Sequence, residues 1–304
     1  MTDITNRDKR EQKQIIESPW RMAFRRLRKN KLAMFGGLIL VALILAVIIG
    51  PMFMDYTVEY TSLVDRYKAP SAEHRLGTDE NGRDILYRLL VGGRTSMMVG
   101  IVVILIQVFL GTLIGGVSGF YGGWVDSILM RFVDIVMSIP TFPLLIVLGA
   151  LMSDLKVDPG KRIYVVMFII GIISWPGLSR LIRGQILSFK EQEFILATEA
   201  LGIKDSNKIL RHLIPNVVPT IIVNATLGLG GAIMLESALS FIGLGVAPPY
   251  PTWGNMIQAA NQYINMSQRP WLWIPPGVCI FLTVMAINLF GDGLRDALDP
   301  KLKR

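Results

Sequence analysis

The chain has 304 residues, of which 52% are hydrophobic and only 18% charged, and its mean hydropathy is +0.48. Soluble domains carry about 25% charged residues, so an ordinary soluble protein is excluded and a mostly membrane-embedded one is expected. The formal net charge of +8 is met by basic flanks facing an anionic cytoplasmic leaflet, and nucleic-acid binding is not expected.

Residues 1–17 are polar and read as disordered. Ser18-Pro19 has the form of an N-cap followed by proline at the first helical position. Trp20, Phe24 and Leu27 then recur at i, i+4, i+7 among Arg21, Arg25, Arg26, Arg28 and Lys29. That pattern predicts an interfacial helix on the inner leaflet. The plainer alternative is a basic stop before the first span. Leu32 to Met54 is an uncharged run of 23 residues. At about 1.5 Å per residue it covers a hydrocarbon core of about 30 Å. It is too long for the apolar core of a signal peptide and is expected to be retained as an anchor.

Residues 55–94 form the longest polar loop, placed outside. It holds Leu76-Gly77-Thr78-Asp79-Glu80-Asn81-Gly82-Arg83-Asp84. Gly77 and Gly82 are turn punctuation. Asp79, Arg83 and Asp84 can form an ion-pair cluster that orders the loop, against the alternative of a solvated loop without a role. A second span is expected from Thr95 to about Tyr121. Its Gly111, Gly115 and Gly119 form a small-xxx-small ladder for close helix packing.

A third span, Phe132 to Ser153, contains Asp134, Pro140 and Pro143. Asp134 would cost about 2.5–3.5 kcal/mol at a bilayer centre. It is expected to pair with Arg131, three residues earlier; a proton or substrate site is the alternative. The fourth, Ile163 to Ser179, is short and contains Pro176. The fifth runs from Leu213 to Leu235, with Glu236 at its end as a pathway residue or a helix-end charge. Residues 236–269 follow as a re-entrant or interfacial hairpin at the outer mouth, because Pro248, Pro249 and Pro251 exclude a continuous helix. Trp253, Trp271 and Trp273 suit a membrane–water interface. The sixth, Trp271 to Gly291, carries Pro275 and Pro276. Such proline breaks are tolerated only where neighbouring helices or water satisfy the freed carbonyls, which fits a bundle around a cavity.

The single Cys279 lies in the last span, so neither an intrachain disulfide nor a metal site is expected. His74 and His212 fall on opposite sides of the membrane and read as surface or interface residues. With six spans and the N-terminus inside, 21 of the 31 Lys and Arg lie inside and 10 outside. The expected organisation is an all-α membrane protein. A cytoplasmic tail with an interfacial helix covers 1–31, and a six-helix transmembrane bundle covers 32–304. The loop 180–212 and the tail 292–304 are cytoplasmic.

The 180–212 loop divides into two short helices. Glu191 to Leu201 places Phe194, Ala197 and Leu201 on one face. Gly202 is a natural left-handed C-cap, and Asp205 or Ser206 is expected to cap a second helix running to Ile214. Such a helix, stopped by a glycine corner, can seat in a groove of a partner; an ordinary helical hairpin explains the pattern equally. No phosphate loop, H-E-x-x-H or nucleophile–histidine pair is visible, so the chain is not expected to be an enzyme or to bind a cofactor.

Five stretches together resemble the permease subunits of bacterial peptide-importing ABC transporters. The likeness is to the dipeptide/oligopeptide/nickel group, and to the second of its two permeases. They are Arg25 to Met34; Leu76-Gly77-Thr78-Asp79 with Gly82-Arg83-Asp84; Ala238 to Gly245 with Pro248-Pro249 and Trp253-Gly254-Asn255; Asn288 to Pro300; and the 196–215 segment. The last resembles the coupling pattern E-A-A-x3-G-x9-I-x-L-P. Gly202, Pro215 and Ala197 match, while Leu196, Thr198, His212 and Ile214 replace the glutamate, second alanine, isoleucine and leucine.

The resemblance implies a multi-pass protein of the bacterial cytoplasmic membrane that forms half of a translocation pathway for peptides. Nickel chelates, haem or another small solute are alternatives, and a secondary transporter would need more embedded charge than Asp134. It implies a homologous second permease and an external solute-binding protein. It also implies two cytoplasmic ATPase subunits that bind ATP and Mg. Phe194, Ala197, Thr198, Glu199, Ala200, Leu201, Gly202 and Pro215 would couple to the ATPases. Residues 55–94 and 236–269, with Gly77, Thr78, Asp79, Gly82, Arg83, Asp84, Trp253 and Gly254, would form the external docking face.

Overall fold

The computed structural model describes residues 19–299. The polar stretch 1–17, the Ser18 cap and the last residues of the tail, Pro300 included, lie outside the described residues. Helix ends expected to face the cytoplasm are called inner below.

Helix α1, Pro19–Lys29, is the expected short basic helix. Its Trp20 and Phe24 are exposed, and the Arg26 guanidinium donates to the Asp299 carbonyl at 3.2 Å. Helix α2, Lys31–Ile49, is capped by the Asn30 side chain and continues through a 3-10 turn to Phe53. It lies on α12, Ile274–Leu298, where a Cβ on Gly36 would come within 2.7 Å of the Ala286 carbonyl.

Helix α3, Ile85–Tyr121, begins ten residues before the expected Thr95. The apolar window stopped at Arg88 and Arg94, but both guanidiniums are satisfied in the fold. Arg94 donates to the Val47 and Ile48 carbonyls at 2.5 Å each, capping α2, and Arg88 Nε lies 3.4 Å from Asp79. Helix α6, Pro159–Lys190, likewise outruns the expected Ile163 to Ser179 at both ends. The two pack along much of their length. The expected glycine ladder is the seam: a Cβ on Gly111 would meet Leu178, one on Gly115 would overlap the Ser179 carbonyl, and one on Gly119 would sit 2.9 Å from the Arg183 carbonyl.

The third span is not continuous. Helix α4, Gly123–Ser138, and α5, Thr141–Asp154, meet at Ile139-Pro140 with a bend of 72°. Asp134 pairs with Arg180 of α6 at 2.5 Å, not with Arg131, and Asp126 takes Arg183 at 2.5 Å. Two arginines three apart on α6 thus hold two aspartates on α4, an arrangement set by the packing of the two helices rather than by spacing within one. Helix α9, Ile214–Phe241, carries Pro215 in its first turn and Pro219 inside. Pro275 and Pro276 start α12 instead of breaking it, because the first helical N–H groups have no intrahelical acceptor to lose. Among the described residues, five helices are long and apolar enough to cross a membrane, and the bent α4–α5 pair counts as a sixth when taken as one span. No β-strand occurs among the described residues.

Candidate functional site

At the inner end, helix α7, Glu193–Ala200, lies between α6 and α9. Its Ile195 and Thr198 face the protein. Ile195 belongs to one buried apolar cluster with Leu178, Ile182 and Ile186 of α6, Leu213, Val217 of α9 and Phe120 of α3. Phe194, Leu196, Ala197, Glu199, Ala200 and Leu201 face outward, and Leu201 is 77% exposed. The apolar ridge expected from Phe194, Ala197 and Leu201 is therefore present and uncovered, and Leu196 widens it.

Gly202 adopts φ +65°, the left-handed corner expected of it. Its N–H donates to Glu199 at 3.0 Å and that of Ile203 to Thr198 at 3.1 Å, so the last carbonyls of α7 are satisfied by a Schellman-type cap. The second helix differs from expectation. Helix α8, Asp205–Asn207, has Lys204 at its N-cap position without a side-chain cap. Asp205 instead takes the Lys208 ammonium at 3.2 Å, and Glu199 lies 4.0 Å from the same nitrogen. Lys208–Leu213 then form a π-helical turn that runs into α9. Such turns are rare and gather at functional sites; no residue type announces one in a sequence. Pro215 is exposed just beyond it, and His212 is half-buried.

At the outer end, residues 62–84 fold into a cap over the start of α3. Asp79 is its centre. One carboxylate oxygen accepts from the N–H groups of Asn81 at 2.8 Å and Arg83 at 3.0 Å, and the other takes Arg83 Nε at 2.7 Å. Asp84 does not join this pair as expected. It caps α3 through the Tyr87 N–H at 2.8 Å and binds His74 Nδ1 at 3.0 Å. His74 is buried, not on the surface, because the Asp84 carboxylate provides it with a partner inside the cap. Gly77 and Gly82 have φ of +73° and +69°. The Thr78 hydroxyl accepts from the Lys68 N–H at 2.8 Å, which ties the two limbs of the cap.

Helix α10, Trp253–Ile257, closes the outer end beneath this cap. Thr252 and Asn255 form a reciprocal capping box at 3.1 and 3.0 Å. Trp253 is fully buried, not interfacial. Its indole N–H finds the Leu89 carbonyl at 2.9 Å, so the ring loses no hydrogen bond on leaving water. A Cβ on Gly254 would approach Ser237 Cα to 2.5 Å, so only glycine lets α10 lie on α9. Trp271 is half-buried and its ring lies against Gly77, with its N–H 3.4 Å from the Thr78 carbonyl. Glu236 is fully buried and, since α9 runs on to Phe241, is not a helix-end charge. It accepts from Ser240 at 2.7 Å and Ser96 at 3.4 Å, while Ser96 accepts from the Trp253 N–H at 3.1 Å.

Residues 93–304 match the family of the binding-protein-dependent transport system inner membrane component, and residues 18–70 match the N-terminal TM domain of oligopeptide transport permease C. The chain is 40% identical over 303 residues to the dipeptide transport system permease protein DppC of Alkalihalophilus pseudofirmus, covering 100% of this chain and 97% of that one. It is 39% identical over 287 residues to the oligopeptide transport system permease protein OppC of Bacillus subtilis (94% and 91% covered). The OppC of Haemophilus influenzae is 41% identical over 286 residues (93% and 89% covered).

Proposed function

The chain belongs to the family of binding-protein-dependent transport system inner membrane components, and from that premise we propose that it is half of the route by which short peptides cross a bacterial cytoplasmic membrane. The peptide class follows from the dipeptide and oligopeptide permeases it is similar to. A homologous permease supplies the other half. Two cytoplasmic ATPase subunits bind ATP and Mg and drive the cycle, and an external binding protein delivers solute to residues 55–94 and 236–269. Both termini and the 180–212 segment face the cytoplasm.

The uncovered ridge on α7 carries this reading. A lever needs one face that a partner can grip and another fixed to what must move. Phe194, Leu196 and Leu201 offer the first. Ile195, buried in one apolar cluster with Ile186 and Leu213, supplies the second. Movement of α7 reaches α6 and α9 directly. Since α6 is continuous to Pro159, the displacement extends to the outer end, where Arg162 holds the Gly149 carbonyl of α5 at 3.1 Å. ATP-driven closure of the partner would thus rock the bundle between access states.

The test places a single cysteine at Leu201 in a Cys279→Ser background. In inside-out membranes it should crosslink to the ATPase subunits. Labelling of that cysteine by an impermeant reagent in intact cells, or crosslinks only to the binding protein, would overturn the assignment.

A further inference from the structure

The outer cap and α10 border a half-open cavity of about 360 Å³ whose two walls carry different kinds of group. That volume lies at the small end of the range for small-molecule sites, about 300–1,000 Å³. One wall is charged: Asp79, Glu80, Arg83 and Arg88. The other is lined by exposed carboxamides, among them Gln258, Asn261 and Gln262.

The charged wall is built before any ligand arrives. Asp79, Arg83 and Arg88 are each more than nine-tenths buried. Asp79 holds both guanidiniums by their Nε atoms, at 2.7 and 3.4 Å, and Arg88 also donates to the Pro249 carbonyl at 3.3 Å. Two arginines against one aspartate leave one positive charge in the wall. Glu80 balances it formally, yet it stands exposed and has no hydrogen-bond or ion-pair partner among the described residues. The cavity therefore presents a fixed cationic fork, a free carboxylate and a row of amide donors and acceptors.

A ligand matching all three has a carboxylate, an ammonium and amide groups. A simple anion would meet Glu80, and a simple cation would meet the arginines. We propose that this cavity is an entry subsite for a di- or tripeptide with free termini. The peptide carboxylate lies on the Arg83–Arg88 fork, its ammonium on Glu80, and its backbone amide against Gln258 and Gln262. Guanidinium–carboxylate and carboxylate–ammonium contacts are charge-assisted and orient the ligand, and carboxamide side chains match both the donor and the acceptor of a peptide unit. The subsite rests on the peptide reading above and refines it: the permease would itself sample the ends of a peptide outside the bundle, before translocation.

The test uses the complex of both permeases and both ATPases in lipid nanodiscs, without the binding protein, and equilibrium dialysis of radiolabelled trialanine. Saturable binding is expected, with N-acetyl-trialanine bound at least fivefold more weakly. In Glu80→Gln, which alters only an exposed side chain, free trialanine should weaken to the level of the acetylated peptide, removing the discrimination. Gln262→Leu, on the opposite wall, should weaken both peptides alike. Absence of saturable binding, or unchanged discrimination in Glu80→Gln, would overturn the subsite. Uptake of trialanine by proteoliposomes with the binding protein restored reports on the wider reading separately. Uptake without discrimination by the permease sinks the subsite alone, and failure of wild-type uptake sinks the peptide function.

Discussion

The inner corner and the outer cap are both built on glycines in the left-handed conformation, and they are finished in opposite ways. Gly202 and Gly82 have nearly the same φ, +65° and +69°. Around Gly202 a Cβ would meet nothing within 4 Å, whereas on Gly82 it would overlap the Ser62 carbonyl. The polar groups follow suit. The acidic partners of Lys208 at the corner, Glu199 and Asp205, are about half exposed, while in the cap Asp79 is buried against Arg83 and Asp84 against His74. A segment satisfied by its own chain is a scaffold; one that leaves Phe194, Leu196 and Leu201 uncovered presents the face that the proposed lever offers to a partner.

The sharpest way to break this contrast is the same pair of substitutions at both glycines. At Gly82 an alanine faces the left-handed penalty and a backbone overlap, so a loss of about 2–5 kcal/mol in cap stability is expected. Asparagine, which tolerates this conformation, should not rescue it, since its Cβ meets the same carbonyl. Hydrogen exchange over residues 62–88 is the measurement. Full protection in Gly82→Asn would show that the cap yields and is no scaffold.

At Gly202 only the backbone penalty applies, about 1–2 kcal/mol for a β-branched side chain. Gly202→Val should insert and fold near normally yet abolish uptake. Either the ATPase activity becomes independent of solute or the ATPase subunits leave the complex. Gly202→Ala should be milder and Gly202→Asn close to wild type. Solute-stimulated ATPase activity and uptake of the reconstituted complex decide it. Normal coupling in Gly202→Val would remove the corner from the mechanism.

These two sites were unequally legible in the sequence. The Gly202 corner is local: a short helix, a glycine and the two amides that follow fix it, so residue types suffice. The Asp79–Arg83 pair is also local. The His74–Asp84 pair, the burial of Trp253 and the cavity beneath the cap depend on chain segments far apart meeting, and no spacing rule carries that. Apolar runs located the spans but misplaced their ends. Arg88, Arg94, Arg162, Arg180 and Arg183 look like stops in a window of hydropathy, yet each lies within a helix and reaches an acceptor on another segment. The bend at Ile139-Pro140 was visible as proline, but its 72° angle was not.

A smaller effect is expected at Lys208, which joins Glu199 and Asp205 across the corner. Both partners are about half exposed, and exposed pairs contribute about 0.2–1 kcal/mol. Lys208→Met keeps the length and apolar stem of the side chain, so stability should change by less than about 1 kcal/mol. The ratio of peptide transported to ATP hydrolysed should fall two- to threefold. Since salt screens such pairs, raising ionic strength should carry the wild-type ratio toward that of the variant. A ratio in the wild type that ignores salt, beside an unchanged Lys208→Met, would leave the clasp without a part in coupling.

The smallest effect belongs to the outer cap and is one of pH. The Lys68 ammonium hydrogen-bonded to Asp65, and then the Ser62 hydroxyl at 2.6 Å, hold the Asp65 carboxyl below its ordinary value of 3.8. A carboxylate whose value is depressed by folding stabilises the fold fully above its unfolded value, and that contribution fades as pH falls through the folded one. The contribution of Asp65 should thus be constant from neutral pH down to about 4 and fade as the pH falls further, through the depressed folded value. The Asp65 carbonyl also receives the Thr78 hydroxyl, a bond that an Asp65→Asn substitution keeps, so the variant isolates the charge. Protease protection of residues 62–68 should be slightly lower in Asp65→Asn than in wild type at pH 7, with the difference shrinking as the pH is lowered to 3. Uptake should be unaffected at neutral pH. A difference that persists unchanged at pH 3 would mean that the side chain acts through packing and not through its charge.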